Sequence, residues 1–439
     1  MSDSTTRNTG DYADRTSNQQ SNLLTLPTAV ATTDRRPHAY ERWLIAKLLR
    51  TAGSPPLRFQ LWDDEFIEPE DTTAEFTIRL NDPKALLALL TNPNLAFGDL
   101  YSAGRLQVDG DLPDLMETLY SSIHRAQKNW PKWLEALWRN HNPRSTGLSE
   151  AKQNIHHHYD LGNDFYRLWL DDAEMQYTCA YYESPDITLE QAQLAKLEHV
   201  CRKLRLKPGM TVAEAGCGWG GLSRYMADNY GVKVRAYNIS GEQLVYAREE
   251  ARRRGLDHLI DYVEDDYRNI DGQYDAFVSV GMLEHVGKER FPAMSELIRR
   301  VLKPDGIALL HSIGRNRPML MNAWIEKRIF PGAYPPSIAE LMSICEAGEF
   351  SVLDVENLRL HYARTLTHWM ERFQNHRDQV TAMYDEHFTR AWEMYLAGSI
   401  AAFRVGSLQL FQVVFTHGSN NSLPQTRRDL YKSTAVPKA

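Results

Sequence analysis

Cysteine is scarce: the 439 residues hold four, Cys179, Cys201, Cys217 and Cys345, with no CxxC pair among them. That spacing argues against a thiolate zinc site and a disulfide framework, so four reduced thiols are expected. Long apolar runs are missing too. The N-terminal stretch MSDSTTRNTGDYADRTSNQQ is polar throughout, with no secretory or stop-transfer pattern, which predicts a cytoplasmic protein. Basic charge is not in excess either: the formal net charge is −7. The field of the whole molecule therefore has no general attraction for nucleic acid, which is not expected as a partner, and any membrane contact must be local.

What is present is the make-up of a globular enzyme, 43% hydrophobic and 24% charged residues in a chain long enough for two folded units. Residues 1–36 are rich in Ser, Thr, Asn, Gln and Asp and carry too little apolar surface to offset the entropy of ordering, which predicts a disordered tail. Over residues 37–138 the pattern is mixed. ERWLIAKLLRTAG, DPKALLALLTN and DLPDLMETLYSSIHRAQ have helical periodicity, and FTIRL alternates like a short strand, predicting a small α+β domain. Residues 139–152, with Pro, Gly and Ser and few apolar side chains, read as a linker.

From 153 to 439 helix and strand signals alternate. LEQAQLAKLEHVCRKL, GLSRYMADNY and GEQLVYAREEARRRG read as helices, and MTVAEAG, VKVRAYNIS, IDYVEDD, YDAFVSVGM and GIALLHSIG as strands. This order predicts an α/β fold with a mainly parallel, Rossmann-like sheet and helices on both faces. The last apolar run, LQLFQVVFTH, is expected as an edge strand.

The strand MTVAEAG runs into Gly216-Cys217-Gly218-Trp219-Gly220-Gly221 and then a helix, so backbone can approach a nucleotide-like ligand where strand gives way to helix. The spacing is not GxGxxG and no GK[ST] follows, which weakens the dinucleotide and P-loop readings. Glycines can also serve a tight turn for steric reasons alone. The ExGxGxG form, with Glu214, Gly216, Cys217 and Gly218, resembles motif I of class I methyltransferases. Asn238 at the end of the second strand and Gln243 a turn later stand where a ribose would lie, in place of the usual acidic residue. Asp266 and Tyr267, after the third strand, are candidates for an adenine amine and ring face; a solvated acidic turn is the plainer alternative.

Further stretches carry a more specific likeness. HYDLGNDFYRLWL, MQYTCAYY, AGCGWGG, VGMLEHVG, LLHSIG and NLRLHYARTL, in that order, resemble the cyclopropane fatty acid and mycolic acid cyclopropane synthases over most of 153–417. The small N-terminal region is similar to that of the longer, phospholipid-acting bacterial members. Glu214 departs from the aspartate common in the family but keeps the carboxylate.

The resemblance implies S-adenosylmethionine as co-substrate, an unsaturated phospholipid acyl chain as acceptor, and a bound bicarbonate as the base that lets a cyclopropane ring close. It implies Cys179, Glu284, His311, the Ile313 backbone and Tyr362 around bicarbonate, and Tyr159, Tyr177 and Thr178 closing over S-adenosylmethionine. A thiol, a phenol, an amide and an imidazole can donate to an anion's oxygens. Glu284 cannot, so either bicarbonate donates its proton to Glu284 or Glu284 orients His311. Taken singly, each has a plain alternative: Cys179 a small buried hydrophobe, His311 a satisfied core histidine, Tyr362 packing.

The family also implies a homodimer. His156-His157-His158 looks like a metal site, but adjacent residues on one backbone rarely converge on one ion, and no metal is expected. Phe330 to Tyr334 with Trp369, Trp392, Tyr395 and Phe403 are candidates for an acyl tunnel or for ordinary core. Arg315, Arg317, Lys327 and Arg328 with Trp324 and Phe330 are expected as a surface patch for transient peripheral membrane contact. Two rival functions remain: the same methyl transfer ending in a methyl or methylene branch, and a non-catalytic lipid-binding relative.

Overall fold

The computed structural model describes residues 35–70, 72–127 and 161–431. Residues 1–34, the 139–152 linker, His156 to His158 and Tyr159 lie outside the described residues. Arg35, placed in the disordered tail above, is anchored. Its guanidinium pairs with Glu41 at 2.6 Å and its carbonyl accepts from Trp62 Nε1, so ordered chain begins before residue 37.

After a helix over Ala39–Thr51 comes a four-stranded sheet, with strands β1 (Leu57–Gln60), β2 (Phe66–Ile67), β3 (Phe76–Leu80) and β4 (Leu106–Asp109) in the order β2-β1-β3-β4. The sequence pattern showed only β3. The other three have two to four residues each, too short for alternation to rise above the surrounding turns. Helix Pro83–Thr91 starts at Asp82, whose side chain accepts from the Ala85 amide, and helix Leu112–Gln127 follows β4.

The second sheet has seven strands: β5 (Thr211–Ala215), β6 (Lys233–Asn238), β7 (Ile260–Glu264), β8 (Tyr274–Val280), β9 (Leu302–Gly314), β10 (Phe350–Asn357) and β11 (Gln409–His417). Their order is β10-β11-β9-β8-β5-β6-β7, with β5 to β9 parallel and β11 antiparallel to both neighbours. The α/β sheet is as expected, with one correction. LQLFQVVFTH is not an edge strand but lies between β9 and β10, which explains why eight of the nine residues of β11 are buried. The edge it would have occupied is taken by β10, whose mixed pattern FSVLDVEN hid it.

Helix Leu189–Lys203 begins with a Thr188/Gln191 capping box, and the long helix Glu386–Arg404 begins at Asp385, which accepts from the Phe388 amide at 2.7 Å. Fifteen of the latter's nineteen residues are buried. One hydrophobic cluster runs from Ile45, Phe59 and Met116 through Phe165 and Trp169 to Trp369 and Ile400, joining the N-terminal layer to these C-terminal helices. That junction matters because a cavity lies along it.

Candidate functional site

Chemistry-bearing residues gather at the carboxyl ends of the parallel strands, where α/β sheets bind ligands. Past β5, Gly216, Gly218 and Gly220 have φ of +82°, +53° and +77°, values that favour glycine. A Cβ on Gly216 would lie 2.9 Å from that of Met282, and one on Gly220 would run into the Tyr262 hydroxyl. One on Gly218 would meet no atom of the described residues within 4 Å, so among them its backbone borders open space. The amides of Gly216 and Cys217 donate to the Tyr237 carbonyl at 2.9 and 3.1 Å. Arg224, fully buried, donates to the Trp219 carbonyl at 2.6 Å and pairs with Glu174 at 2.8 Å, while Arg254 pairs with the other oxygen of Glu174.

Asn238 Nδ2 bridges the Gly218 carbonyl at 3.2 Å and Gln243 Oε1 at 2.8 Å, so the two candidates for the ribose form one polar unit beside the glycine turn. Glu214 is directed elsewhere. Its carboxylate is buried beneath the turn and accepts from Ser223 Oγ, and burial raises its pKa to about 7. Asp266 is also occupied: it caps the Arg268 amide at 3.0 Å and binds the Arg268 guanidinium at 2.6 and 2.8 Å. Burial would raise its pKa, but Arg268 outweighs that and holds it low. The hydroxyl of Tyr267 is buried without a partner among the described residues.

A cavity of about 990 Å³ begins beside this region and extends between the two sheets. Tyr177, Thr178, Cys179, Glu284, His311, Ile313 and Tyr362 all line it, although the sequence scatters them from 177 to 362. The segment carrying Cys179 is held by hydrogen bonds from the Ala180 amide to Thr365 Oγ1 and from the Tyr182 amide to His361 Nδ1, both 3.0 Å, on the helix Arg359–Asn375 that carries Tyr362. Lys196 supports it from below, donating to Thr178 Oγ1 at 2.9 Å. Tyr177 and Tyr395 share a hydroxyl hydrogen bond of 2.9 Å.

Electrostatics at this end follow from dryness. Burial raises the Cys179 thiol well above its ordinary pKa, so it stays protonated as a donor, here to the Ala180 carbonyl at 3.2 Å. Burial also raises Glu284 to about 7, against the amides that hold it, including that of Ile313, which donates to Glu284 Oε1 at 2.5 Å. The Ile313 amide is thus engaged with Glu284, where the sequence reading had it facing an anion. His311 is kept neutral by burial and by the cations of Lys196 and Lys203.

Glu284 does not orient His311; Gln412 does. Lys203 Nζ, fully buried, donates to Gln412 Oε1 at 2.8 Å and pairs with Glu356 at 2.5 Å. With its oxygen on the ammonium, Gln412 must present its NH₂ to His311 Nδ1, 3.1 Å away. The ring therefore carries its proton on Nε2. That atom and Glu284 Oε2 are buried without a hydrogen-bond partner among the described residues.

Other expectations change. Phe330, Tyr395 and Phe403 line the cavity, whereas Trp369 and Trp392 are core, Trp169 packing on both. The basic surface patch does not form: Trp324 is buried against Gly98, Arg328 binds Asp99 with two 2.9 Å hydrogen bonds, and Arg315 is only 6% exposed. Arg317 and Lys327 stay exposed. Among the described residues no helix is long and apolar enough to cross a membrane, and no cluster suited to a metal ion occurs.

The glycine turn, the polar pair beside it and the sheet order define an S-adenosylmethionine-dependent methyltransferase fold. Comparison with known proteins agrees. The family model described as mycolic acid cyclopropane synthetase matches residues 147–413, and a domain of unknown function matches 44–129. A probable fatty acid methyltransferase of Pseudomonas putida is 36% identical over 393 residues, covering 86% of this chain and 96% of that protein. The cyclopropane-fatty-acyl-phospholipid synthase of Escherichia coli K12 is 38% identical over 361 residues, 81% of this chain and 91% of the relative. A crystal structure of a mycolic acid cyclopropane synthase complexed with SAH and CTAB superposes with a TM-score of 0.57 at 33% identity, covering 60% of this chain and 97% of that one. The chain belongs to the mycolic acid cyclopropane synthetase family.

Proposed function

We propose that the protein transfers the methyl carbon of S-adenosylmethionine to the cis double bond of an unsaturated phospholipid acyl chain and closes a cyclopropane ring with the help of bicarbonate. The observation that carries this reading is the pair of orphaned buried atoms, Glu284 Oε2 and His311 Nε2, at one end of a largely apolar cavity. Buried polar groups without partners are rare in a native protein and call for a ligand.

S-adenosylmethionine would be held by the Gly216–Gly220 turn with Asn238 and Gln243, and would supply an electrophilic methyl group whose carbon–sulfur bond breaks to leave a neutral thioether. An alkene that accepts the methyl becomes a carbocation on the acyl chain. The site must then shield the cation from water and take a proton from the new methyl group. The apolar walls supply the shielding. Bicarbonate held by Cys179, His311, Glu284 and Tyr362 would supply the base: Cys179 and the Nε2–H of His311 can donate, and Glu284, near neutrality, can accept a proton from the ion or share one with it.

An acyl chain resident in a bilayer requires transient membrane contact, for which Arg317 and Lys327 remain available, and the reading includes a homodimer. The test is incubation with unsaturated phospholipid vesicles and labelled S-adenosylmethionine, with and without removal of bicarbonate. Product fragmentation by mass spectrometry separates a ring from a methyl branch or an exomethylene, and unchanged turnover in bicarbonate-free buffer would count against the base assignment. A branched product is the second reading, favoured by the likeness to a probable fatty acid methyltransferase.

A further inference from the structure

Arg315 is the anomaly of the cavity wall. Buried Arg224 has the carboxylate of Glu174, and even the half-buried Arg328 has that of Asp99. Arg315 has none among the described residues. Among the described residues its Nε has no partner, and its one side-chain hydrogen bond is long, 3.4 Å, from Nη1 to the Ser407 carbonyl. Burial lowers its pKa to about 10, which still leaves it charged near neutral pH. An uncompensated guanidinium in apolar surroundings costs several kcal/mol, so packing gives no reason to keep it there.

Its place in the fold points to a ligand. His311, Ile313 and Arg315 succeed one another at alternate positions along β9 and the residue beyond it, and all three line the same cavity. Four residues of strand put Arg315 about 13 Å from His311. An extended chain advances about 3.5 Å per three backbone bonds, so that distance spans about eleven bonds. Across the cavity, helix Leu112–Gln127 contributes Tyr120, whose hydroxyl has no hydrogen-bond partner among the described residues and is close enough to feel the charge of Arg315. Met116, Leu119 and Leu408 make the neighbouring wall apolar.

We propose that Arg315 and Tyr120 form a subsite for the oxyanion at the polar end of the acyl substrate, a phosphodiester or a carboxylate, so that the apolar chain lies between this anchor and the reacting end at His311. This rests on the proposed lipid substrate and adds the group that positions it. A guanidinium and a phenol are both donors and can bind two oxygens of one anion.

The test measures binding by calorimetry with three unreactive probes of equal chain length: hexadecylphosphocholine, palmitate and hexadecanol. Wild type is expected to bind one of the two oxyanion-bearing probes, the zwitterionic phosphodiester or the carboxylate, about tenfold or more tighter than the alcohol, as a charge-assisted hydrogen bond implies. Preference for hexadecylphosphocholine identifies the phosphodiester and preference for palmitate the carboxylate. Arg315→Met should remove the preference and leave hexadecanol affinity unchanged, melting no lower than wild type because an unpaired buried charge has gone. Tyr120→Phe, which removes one oxygen, should reduce the preference about threefold. Equal affinity of wild type for all three probes, or an equal loss for all three in Arg315→Met, overturns the subsite. If anion preference holds but labelled methyl reaches no lipid, the subsite stands and the transfer reading falls.

Discussion

The side-chain amide of Gln412 donates to Nδ1 of His311 at 3.1 Å, and the oxygen of the same amide accepts from Lys203 at 2.8 Å. One lysine, reaching through one glutamine, thereby decides which imidazole nitrogen presents a proton to the cavity. Glu356 fixes the lysine in turn. Burial would raise its carboxyl, but His199 and Lys203 hold it at about 2.

Gln412→Glu should reverse the tautomer. A carboxylate accepts from Lys203 and from a proton on Nδ1, leaving a bare Nε2 lone pair toward the cavity. Turnover at pH 8 is expected to fall about 10- to 100-fold, the usual scale for losing a group that orients a ligating histidine. It should recover relative to wild type as pH falls and the ring gains its second proton, with S-adenosylmethionine affinity unchanged by calorimetry. A pH profile parallel to wild type would mean that Gln412 only fills space.

Glu284→Gln should separate stability from activity. The folded-state pKa of Glu284 is raised to about 7 from an ordinary 4.5, so between those values the native state holds a proton that the unfolded state has lost. Its contribution to stability is therefore full below about pH 4.5 and is lost as pH rises through 7. The amide variant escapes that loss and should be more stable by up to about 3 kcal/mol above pH 7, while lipid modification disappears. Denaturant melts at pH 5 and pH 8 check it; an equal gain at both would refute the assignment.

The glycine turn offers a paired test. Gly220→Ala collides with Tyr262 and should destabilise the protein without any ligand, by about 1–3 kcal/mol. Gly218→Ala meets open space and should cost only the left-handed backbone penalty of about 1–2 kcal/mol, yet lose most of its S-adenosylmethionine binding. Calorimetric binding alongside thermal melts distinguishes the two.

Glu174→Ala should be among the most damaging single changes outside the cavity, about 3–5 kcal/mol by urea denaturation, because it strands the buried Arg224. Weaker cofactor binding should accompany it, since Arg224 also holds the Trp219 carbonyl in the glycine turn.

The alternating sheet, the glycine turn and the residues around Cys179 and His311 were legible because strong periodicity and ordered motifs mark them. What was not legible depends on the third dimension. Arg315 and Trp324 read as a basic and aromatic surface, yet both are buried; a run of charges and rings in a loop does not reveal which side faces water. Gln412 is one of two glutamines within an apolar run, and no pattern names its partner a hundred residues away. Lys203 and Arg202 follow one another in one helix, and only packing makes the first buried and the second a partner of Glu198. Strands β1, β2 and β4 were too short to read.

The position of β11 bears on how the protein comes to be made. Its pairing with β9 brings Gln412 to His311, so a nascent chain that has released everything through residue 400 still has an unset imidazole and an open seam between β9 and β10. Domains form as the ribosome delivers them, N-terminal parts first. Here competence would arrive well after the cofactor turn is made, when the strand ending at His417 closes that seam, so a half-finished polypeptide would carry the turn without the means to use it.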